Sequence, residues 1–363
     1  MTLLFQDNFR RYPTPMDMTN QQGFGGQWFT HFGNMDQYIA VFLEADSALK
    51  KTRKDRVLGV KTTANGSSPM AQFDGVSHPA VCFSFIIGAP GYSYIPMDFV
   101  IFDTPVVPLG TGTVSSSGVG SYQGIHLKCT SAGDFTVRHK IVTTASTGVG
   151  NDLILATLPS LKSGTLYHIE GKVDHSGPVA RIILYVNGFL VLDMTYDRDR
   201  VDNGMQDKAF RHIILSGDSA SYEARYRDLV IYTDDATTTF PMGPISFPTK
   251  DPTAHPGMVI DVWASDATNV TIAPGAEVTG TFSELEASGQ PILGAYVEMR
   301  HLASGGLLKS EVDLEVLDAA DNVIKTVYSV TPPGLMGSQP KARLNGLTAA
   351  QAAGLKYRIR ARR

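Results

Sequence analysis

Glu311-Val-Asp-Leu-Glu315 is the stretch of this chain whose residue types and spacing come nearest to chemistry. On a β-strand alternate side chains share a face, so Glu311, Asp313 and Glu315 would stand in one row. Carboxylates held that way can hydrolyse a glycosidic bond, one Glu as nucleophile and the other as acid, with the Asp tuning both. A plainer reading covers more of the segment. It runs on as Val316-Leu-Asp318, and Val312, Leu314 and Val316 make an opposite, apolar face, as in a half-buried strand with a solvated acidic side. The strand accounts for every residue and the catalytic reading for three.

Other constellations are thinner. There is no Gly-x-Ser-x-Gly elbow, and Ser115-Ser-Ser117 lies in Gly110–Gly120, a stretch with no apolar period that reads as an exposed loop. The nine histidines are dispersed without zinc-site spacing; His168 and His175 stand seven apart across a strand end. Gly118-Val-Gly-Ser-Tyr-Gln-Gly124 misses the dinucleotide fingerprint in spacing and opens no helix. The chain is therefore read as a non-enzyme. Aromatic residues in turn-rich segments are the better candidates for binding. Phe24, Trp28, Phe29 and Phe32 cluster early, and Tyr92 and Tyr94 sit in Gly88-Ala-Pro-Gly-Tyr-Ser-Tyr-Ile-Pro96. Exposed rings stack on sugars and also make protein contacts. Trp28, Tyr92 and Tyr94 are the candidate ligand-binding residues, with packing under a sheet rim as the alternative.

The elements that must position such residues are strands. Across 363 residues 18% are charged, Gly (35) and Pro (20) are abundant and 43% are hydrophobic, the balance of a globular chain built from strands and turns. Strands are expected at 38–43, 56–62, 81–87, 99–102, 124–129, 134–141, 166–174, 180–186, 189–196, 211–216 and 225–232, spaced as in an antiparallel sandwich. Asn187-Gly188 between two apolar runs predicts a type I′ hairpin. One short helix is expected, with Thr348 as N-cap, Gln351 completing a capping box and Gly354 as its stop. The last segment, Arg358–Arg363, reads as an edge strand protected by charge, and Lys50-Lys-Thr-Arg-Lys54 as a solvated loop. Five prolines in 236–257 predict an extended linker lying along a surface, between a domain at 1–235 and a smaller sandwich at 258–363. A net charge of −4 provides no drive toward nucleic acid or anionic lipid. No apolar run approaches the ~18–20 residues of a membrane span. Cys82 and Cys129 read as buried thiols. With no basic, apolar leader at the N-terminus, a soluble chain made in a cytosol is expected.

Three segments carry a family resemblance. Phe5-Gln-Asp-Asn-Phe9 resembles the first strand of concanavalin A-like (laminin-G-like) jelly rolls. Tyr167-His-Ile-Glu-Gly-Lys-Val173 followed by Ile182–Val191 resembles their central pair, joined by an Asn-Gly hairpin, and Arg225–Tyr232 resembles the closing strand. The same order is similar to that of virion proteins of tailed bacteriophages. The resemblance implies an all-β fold, a concanavalin A-like jelly-roll sandwich followed by a smaller immunoglobulin-like β-sandwich. It implies a structural component of a phage virion, in the tail tip, baseplate or fibre region, acting in assembly or host attachment. Its partners would be copies of itself and other virion proteins, with no nucleic acid and no membrane insertion. A carbohydrate-binding module that meets a host-surface glycan and a capsid decoration protein are the alternatives. No cofactor is expected. The resemblance also raises a structural Ca²⁺ joining first and last strands, with Asp228 as ligand and the Asp7-Asn8 region facing it.

Overall fold

The computed structural model describes residues 2–7, 9, 28–30, 39–42, 57–60, 69–73, 76–89, 93–102, 124–142, 150–197, 209–217, 223–234, 240–243, 272–282, 294–298, 309–331, 341–345 and 347–362. The chain divides into two compact units, one holding Leu4–Arg10 with Gln27–Ile245 and the other holding Met1–Leu3, Arg11–Gly26 and Ser246–Arg363.

The first unit is built on β1 (Thr2–Asp7), β2 (Trp28–Thr30), β3 (Ile39–Phe42), β4 (Val57–Val60), β5 (Pro69–Gln72), β6 (Ala80–Gly88), β7 (Met97–Phe102), β8 (Gly124–Cys129), β9 (Phe135–Val142), β10 (Gly150–Leu158), β11 (Tyr167–Asp174), β12 (Val179–Val186), β13 (Phe189–Asp197), β14 (His212–Gly217) and β15 (Ala224–Thr233). One sheet runs β13-β12-β11-β6-β15-β4-β3, with β1 beside β15, and the other runs β10-β9-β8-β7-β14-β5-β2. The strand pairings described are antiparallel, and the closing strand returns beside the first, so the unit is a jelly-roll sandwich. Period-2 alternation sends Phe83 and Phe85 of β6 inward, where both rings meet Phe99 of β7 at centroid distances of 4.9 and 4.7 Å. Those contacts knit the two sheets into one core. Asn187 and Gly188 take φ of 52° and 79°, which is what a two-residue type I′ turn requires, and β12 pairs with β13 across it. Both cysteines are buried free thiols.

The second unit contains β16 (Glu277–Thr281), β17 (Gly294–Glu298), β18 (Ser310–Leu317), β19 (Val323–Thr331), β20 (Lys341–Asn345), α1 (Ala349–Ala353) and β21 (Lys356–Ala361). Its sheets, β16-β21-β18-β19 and β17-β20, share a core of Val297, Leu314, Val316, Leu344, Leu355 and Tyr357. The helix has the expected capping box, with Thr348 Oγ1 accepting from Gln351 N and Gln351 Oε1 accepting from Thr348 N. Gly354 stops the helix at φ −90°, outside the left-handed region. Close packing is the reason for a glycine here, since a Cβ would come 3.0 Å from that of Ala319. One expectation is overturned: β21 is flanked by β16 and β18 and is no edge strand. Its arginines are there for the acids beside them.

Candidate functional site

The polar residues of the larger sheet gather on its outer face, across the middle of β6, β11 and β15. Registers place Ser84 opposite Glu170, Cys82 opposite Lys172, and Tyr185 of β12 on the other flank of Glu170. Glu170 is buried, and its carboxylate accepts three hydrogen bonds: Tyr232 Oη to Oε1 (2.9 Å), Met242 N to Oε1 (2.7 Å) and Gly243 N to Oε2 (3.0 Å). Burial raises its pKa, against the pull of the Met242, Tyr232 and Gly243 donors. Phe240 meets Tyr185 edge to face at 5.7 Å, so residues 240–243 lie against this sheet as a strap. Lys172 Nζ reaches Asp234 at 2.8 Å beside them.

Ser84 Oγ and His168 Nε2 are 2.8 Å apart on the same face, the spacing of a nucleophile and its base. Burial lowers the His168 pKa and keeps the ring neutral. Ser84 is 1% exposed, however, so a carbonyl substrate has no approach to it. The pair satisfies two buried polar groups and does not constitute an active site.

The acidic row of the second unit is accounted for by its neighbours. Arg358 Nε donates to Glu315 Oε2 and Arg362 Nε to Asp313 Oδ2, both at 2.6 Å, and Arg360 Nε to Glu277 Oε2 at 2.9 Å. Tyr328 Oη donates to Glu311 Oε2 at 3.0 Å, and Lys309 pairs with the same carboxylate. The hydrogen bonds from Lys309 and Tyr328 hold Glu311 below its ordinary pKa, opposite to the shift a general acid needs. Asp313 and Glu315 are buried, so the expected solvated acidic face is instead a ladder of ion pairs with β21.

The candidate binding residues separate. Trp28 is 0% exposed, so it has no ring face to offer a sugar, and the expectation of a ligand contact there is corrected. Its Nε1 donates to Asp7 Oδ2 at 2.7 Å, and its ring packs edge-on to Phe5 at 5.5 Å and tilted to Phe9 at 5.8 Å. Asp7 Oδ1 accepts from Phe9 N at 2.8 Å, where Phe9 turns through φ 58°. Oδ2 of Asp7 therefore ties the first strand to Trp28, and Oδ1 holds the turn at Phe9. Removing the indole N–H with Trp28→Phe is expected to lower stability by about 1–3 kcal/mol in urea denaturation, the cost of leaving a buried acceptor unpaired. Tyr94 is half-buried, bridges to Lys162, and lies over Gly133, where a Cβ would meet the ring at 2.8 Å; that covers one face of the ring. Tyr92 lies outside the described residues. Asp228 sits at the bulge of β15 with φ 52°, and its Oδ2 accepts from Arg227 Nε at 2.9 Å. With Asp7 committed to Phe9 and Trp28, the facing oxygens that the resemblance implies for a calcium do not come from that carboxylate. Among the described residues no three His, Cys, Asp or Glu side chains form a metal-holding group.

The sequence did not single out the end of the sandwich where β10 and β13 are the outermost strands of their sheets. A groove of about 250 Å³ lies there, walled by Leu153, Ile154 and Leu155 on one side and Met194, Thr195 and Tyr196 on the other. At the Asn187-Gly188 turn of the same strand pair Phe189 is 75% exposed and Leu190 54%, and Val179 is exposed at the far end of β12, opposite Asp197. Apolar residues beside an Asn-Gly turn are the available sequence signal, and they predict a hairpin without a groove.

No protein-family model matches the chain, and no curated protein matches it in sequence. Among solved structures it is similar to a carbohydrate esterase from Shiga toxin-encoding bacteriophage phi24B, at 13% identity and TM-score 0.37 over 63% of this chain and 97% of that one. It is similar to the catalytic domain of a glycoside hydrolase family 131 protein from Coprinopsis cinerea, at 12% identity and TM-score 0.38 over 64% of this chain and 95% of that one. It is also similar to a Lotus tetragonolobus seed lectin, at 10% identity and TM-score 0.34 over 63% and 97%. The chain spans 19% of the length of a sialidase to which it is similar at 12% identity and TM-score 0.38. The strand order defines the class: an all-β chain with a jelly-roll sandwich and a second, smaller β-sandwich. No helix among the described residues is long and apolar enough to cross a membrane.

Proposed function

We propose that the chain is a non-catalytic structural component of a phage particle, in the tail tip, baseplate or fibre region, working in assembly or host attachment. The observation that carries this reading is the contrast between its carboxylates and its apolar surface. Glu170 is closed off by three donors, and Glu311, Asp313 and Glu315 by lysine, tyrosine and arginines. Phe189 and Leu190, in contrast, stand exposed beside one hairpin turn, and large apolar groups in water favour a partner surface. Other virion proteins and further copies of this chain are the partners proposed. A second reading, a carbohydrate-binding attachment module, is favoured by the β10–β13 groove, where Tyr196, Thr195 and Asp197 stand beside apolar residues.

Gold-labelled antibody to this chain, applied to particles purified from its source, tests the first reading. Label at the distal tail supports it. Label over the head moves the function to decoration, and intact particles without label overturn it. Replacing Phe189 and Leu190 together by serine should leave the melting temperature within about 2 °C, since exposed positions contribute little to stability. The same variant should fail to complement particle assembly or attachment. Normal complementation would remove the hairpin from the interface. Unchanged hydrolysis of host polysaccharide on replacing Glu311 and Glu315 by Gln would exclude the acidic row as the source of any such activity.

A further inference from the structure

Two histidines that the proposed function does not use meet Tyr196 between the sheets at the β10–β13 end. His139 comes from β9, His175 from just beyond β11, and Tyr196 from β13. Their ring centroids are 5.8 Å (His139–His175), 5.5 Å (His139–Tyr196) and 5.7 Å (His175–Tyr196) apart, nearly an equilateral triangle. All three are buried, His139 to 2% exposure. Imidazoles bound through nitrogen at about 2.0–2.1 Å to one tetrahedral ion have centroids roughly 5 Å apart. The His139–His175 spacing of 5.8 Å is wider than that, so an ion would draw the two rings together.

The polar atoms point the same way. His175 Nε2 and Tyr196 Oη are hydrogen-bonded to each other, whereas His139 Nε2 is buried without a hydrogen-bond partner among the described residues. A buried ring nitrogen left unpaired is costly, and one in a folded protein calls for a water or an ion to account for it. Burial, with the neighbouring His175 and His126, lowers the His139 pKa to about 3, so the ring is neutral at ordinary pH and is in the protonation state that ligates metals. Tyr196 is shared with the wall of the β10–β13 groove, so the cluster lies directly behind that wall. The chain contributes two imidazoles and a phenol from three different strands or strand ends, and Zn²⁺ and Cu²⁺ are the divalent ions that imidazole suits best.

We propose that His139, His175 and Tyr196 form a binding site for one divalent transition-metal ion of the Zn²⁺/Cu²⁺ class. Binding would replace the His175–Tyr196 hydrogen bond with two metal–ligand bonds and release the phenol proton to solvent, so affinity should rise with pH.

The test is calorimetric titration of the full, metal-stripped chain with Zn²⁺ and with Cu²⁺, joined to the visible spectrum of the copper form. One ion per chain and a phenolate-to-copper charge-transfer band are expected. His139→Ala should weaken binding at least about 100-fold, since even outer-shell changes cost 10–100-fold. Tyr196→Phe should abolish the band while keeping weaker Zn²⁺ binding. Should the histidine variants fail to fold, the native spectrum and its Tyr196→Phe counterpart decide the matter alone. The proposal is overturned by the absence of a stoichiometric ion in the native chain, by binding that His139→Ala leaves unchanged, or by copper bound without the band. A crystal grown with Zn²⁺ that shows a water on His139 Nε2 would overturn it equally.

Discussion

Glu170→Ala is expected to destabilise the jelly-roll unit by about 4 kcal/mol, because it removes the acceptor of three hydrogen bonds and leaves three buried donors facing a void. The donors are Tyr232 Oη and the backbone N–H groups of Met242 and Gly243, so the damage falls on the core of the sheet and on the strap together. Glu170→Gln separates hydrogen bonding from volume. Its amide oxygen can serve the two donors now on Oε1, but its NH₂ then faces the Gly243 N–H, one donor against another. A loss of about 2 kcal/mol follows from that single unmet donor. Urea denaturation gives both numbers, and amide exchange at Met242 and Gly243 should quicken in both variants. A Glu170→Ala chain as stable as the native one, with those amides still protected, would show that the strap is held by other contacts.

The same carboxylate sets a pH dependence. Burial raises its folded pKa above the ordinary 4.5, so the folded chain takes up this proton at a higher pH than the unfolded chain does. The stabilising contribution is then full below the ordinary carboxyl value and is lost as pH rises through the raised one. In Glu170→Gln nothing titrates at this position. The stability gap between native chain and variant should therefore be wider at about pH 4 than at about pH 7.

How far such features can be read in advance depends on the sequence distance between partners. Asn187-Gly188 and the Thr348–Gln351 capping box are local, with every interacting atom within a few residues, and both form as expected. The Glu170 clamp is not local. Its segment, Tyr167-His-Ile-Glu-Gly-Lys-Val173, alternates as an ordinary strand with a wet face does, and the donors that bury it lie 62, 72 and 73 residues downstream. Trp28 failed for the same reason. An aromatic in a turn-rich segment suits a sugar site or a core equally well, and Asp7, 21 residues earlier, decides for the core. The acids of β18 and the arginines of β21 were each legible as alternating charged strands. Their mutual register is not, and without it one reads as a solvated face and the other as a protected edge. The His139–His175–Tyr196 cluster draws on β9, the end of β11 and β13, and no spacing along the chain announces it.

Gly171→Ala, next to Glu170 but on the inner face of the same strand, is expected to cost about 3 kcal/mol by overpacking. Gly171 pairs in register with Phe83, and a Cβ there would lie 2.2 Å from Phe83 Cζ. The ring has little room to retreat, being 4.9 Å from Phe99 and stacked at 6.2 Å on Phe85, between two sheets. Its φ lies outside the left-handed region, so the penalty is steric and a smaller partner should relieve it. Phe83→Leu alone leaves a cavity and should cost about 1–2 kcal/mol. With Gly171→Ala added, the methyl group occupies part of that space, and the double variant should be more stable than the sum of the single losses predicts by at least about 1 kcal/mol. Simple additivity in the denaturation midpoints would mean that the backbone of β11, rather than the Phe83 ring, absorbs the added carbon. Gly280 of β16 repeats the arrangement against Tyr357 of β21, its register partner, with a Cβ 2.4 Å from the Tyr357 Oη. There the ring carbon Cζ stands at 2.5 Å beside the hydroxyl, so Gly280→Ala should cost a comparable amount, and the ratio of the two losses measures how tightly each sheet holds its aromatic over a glycine.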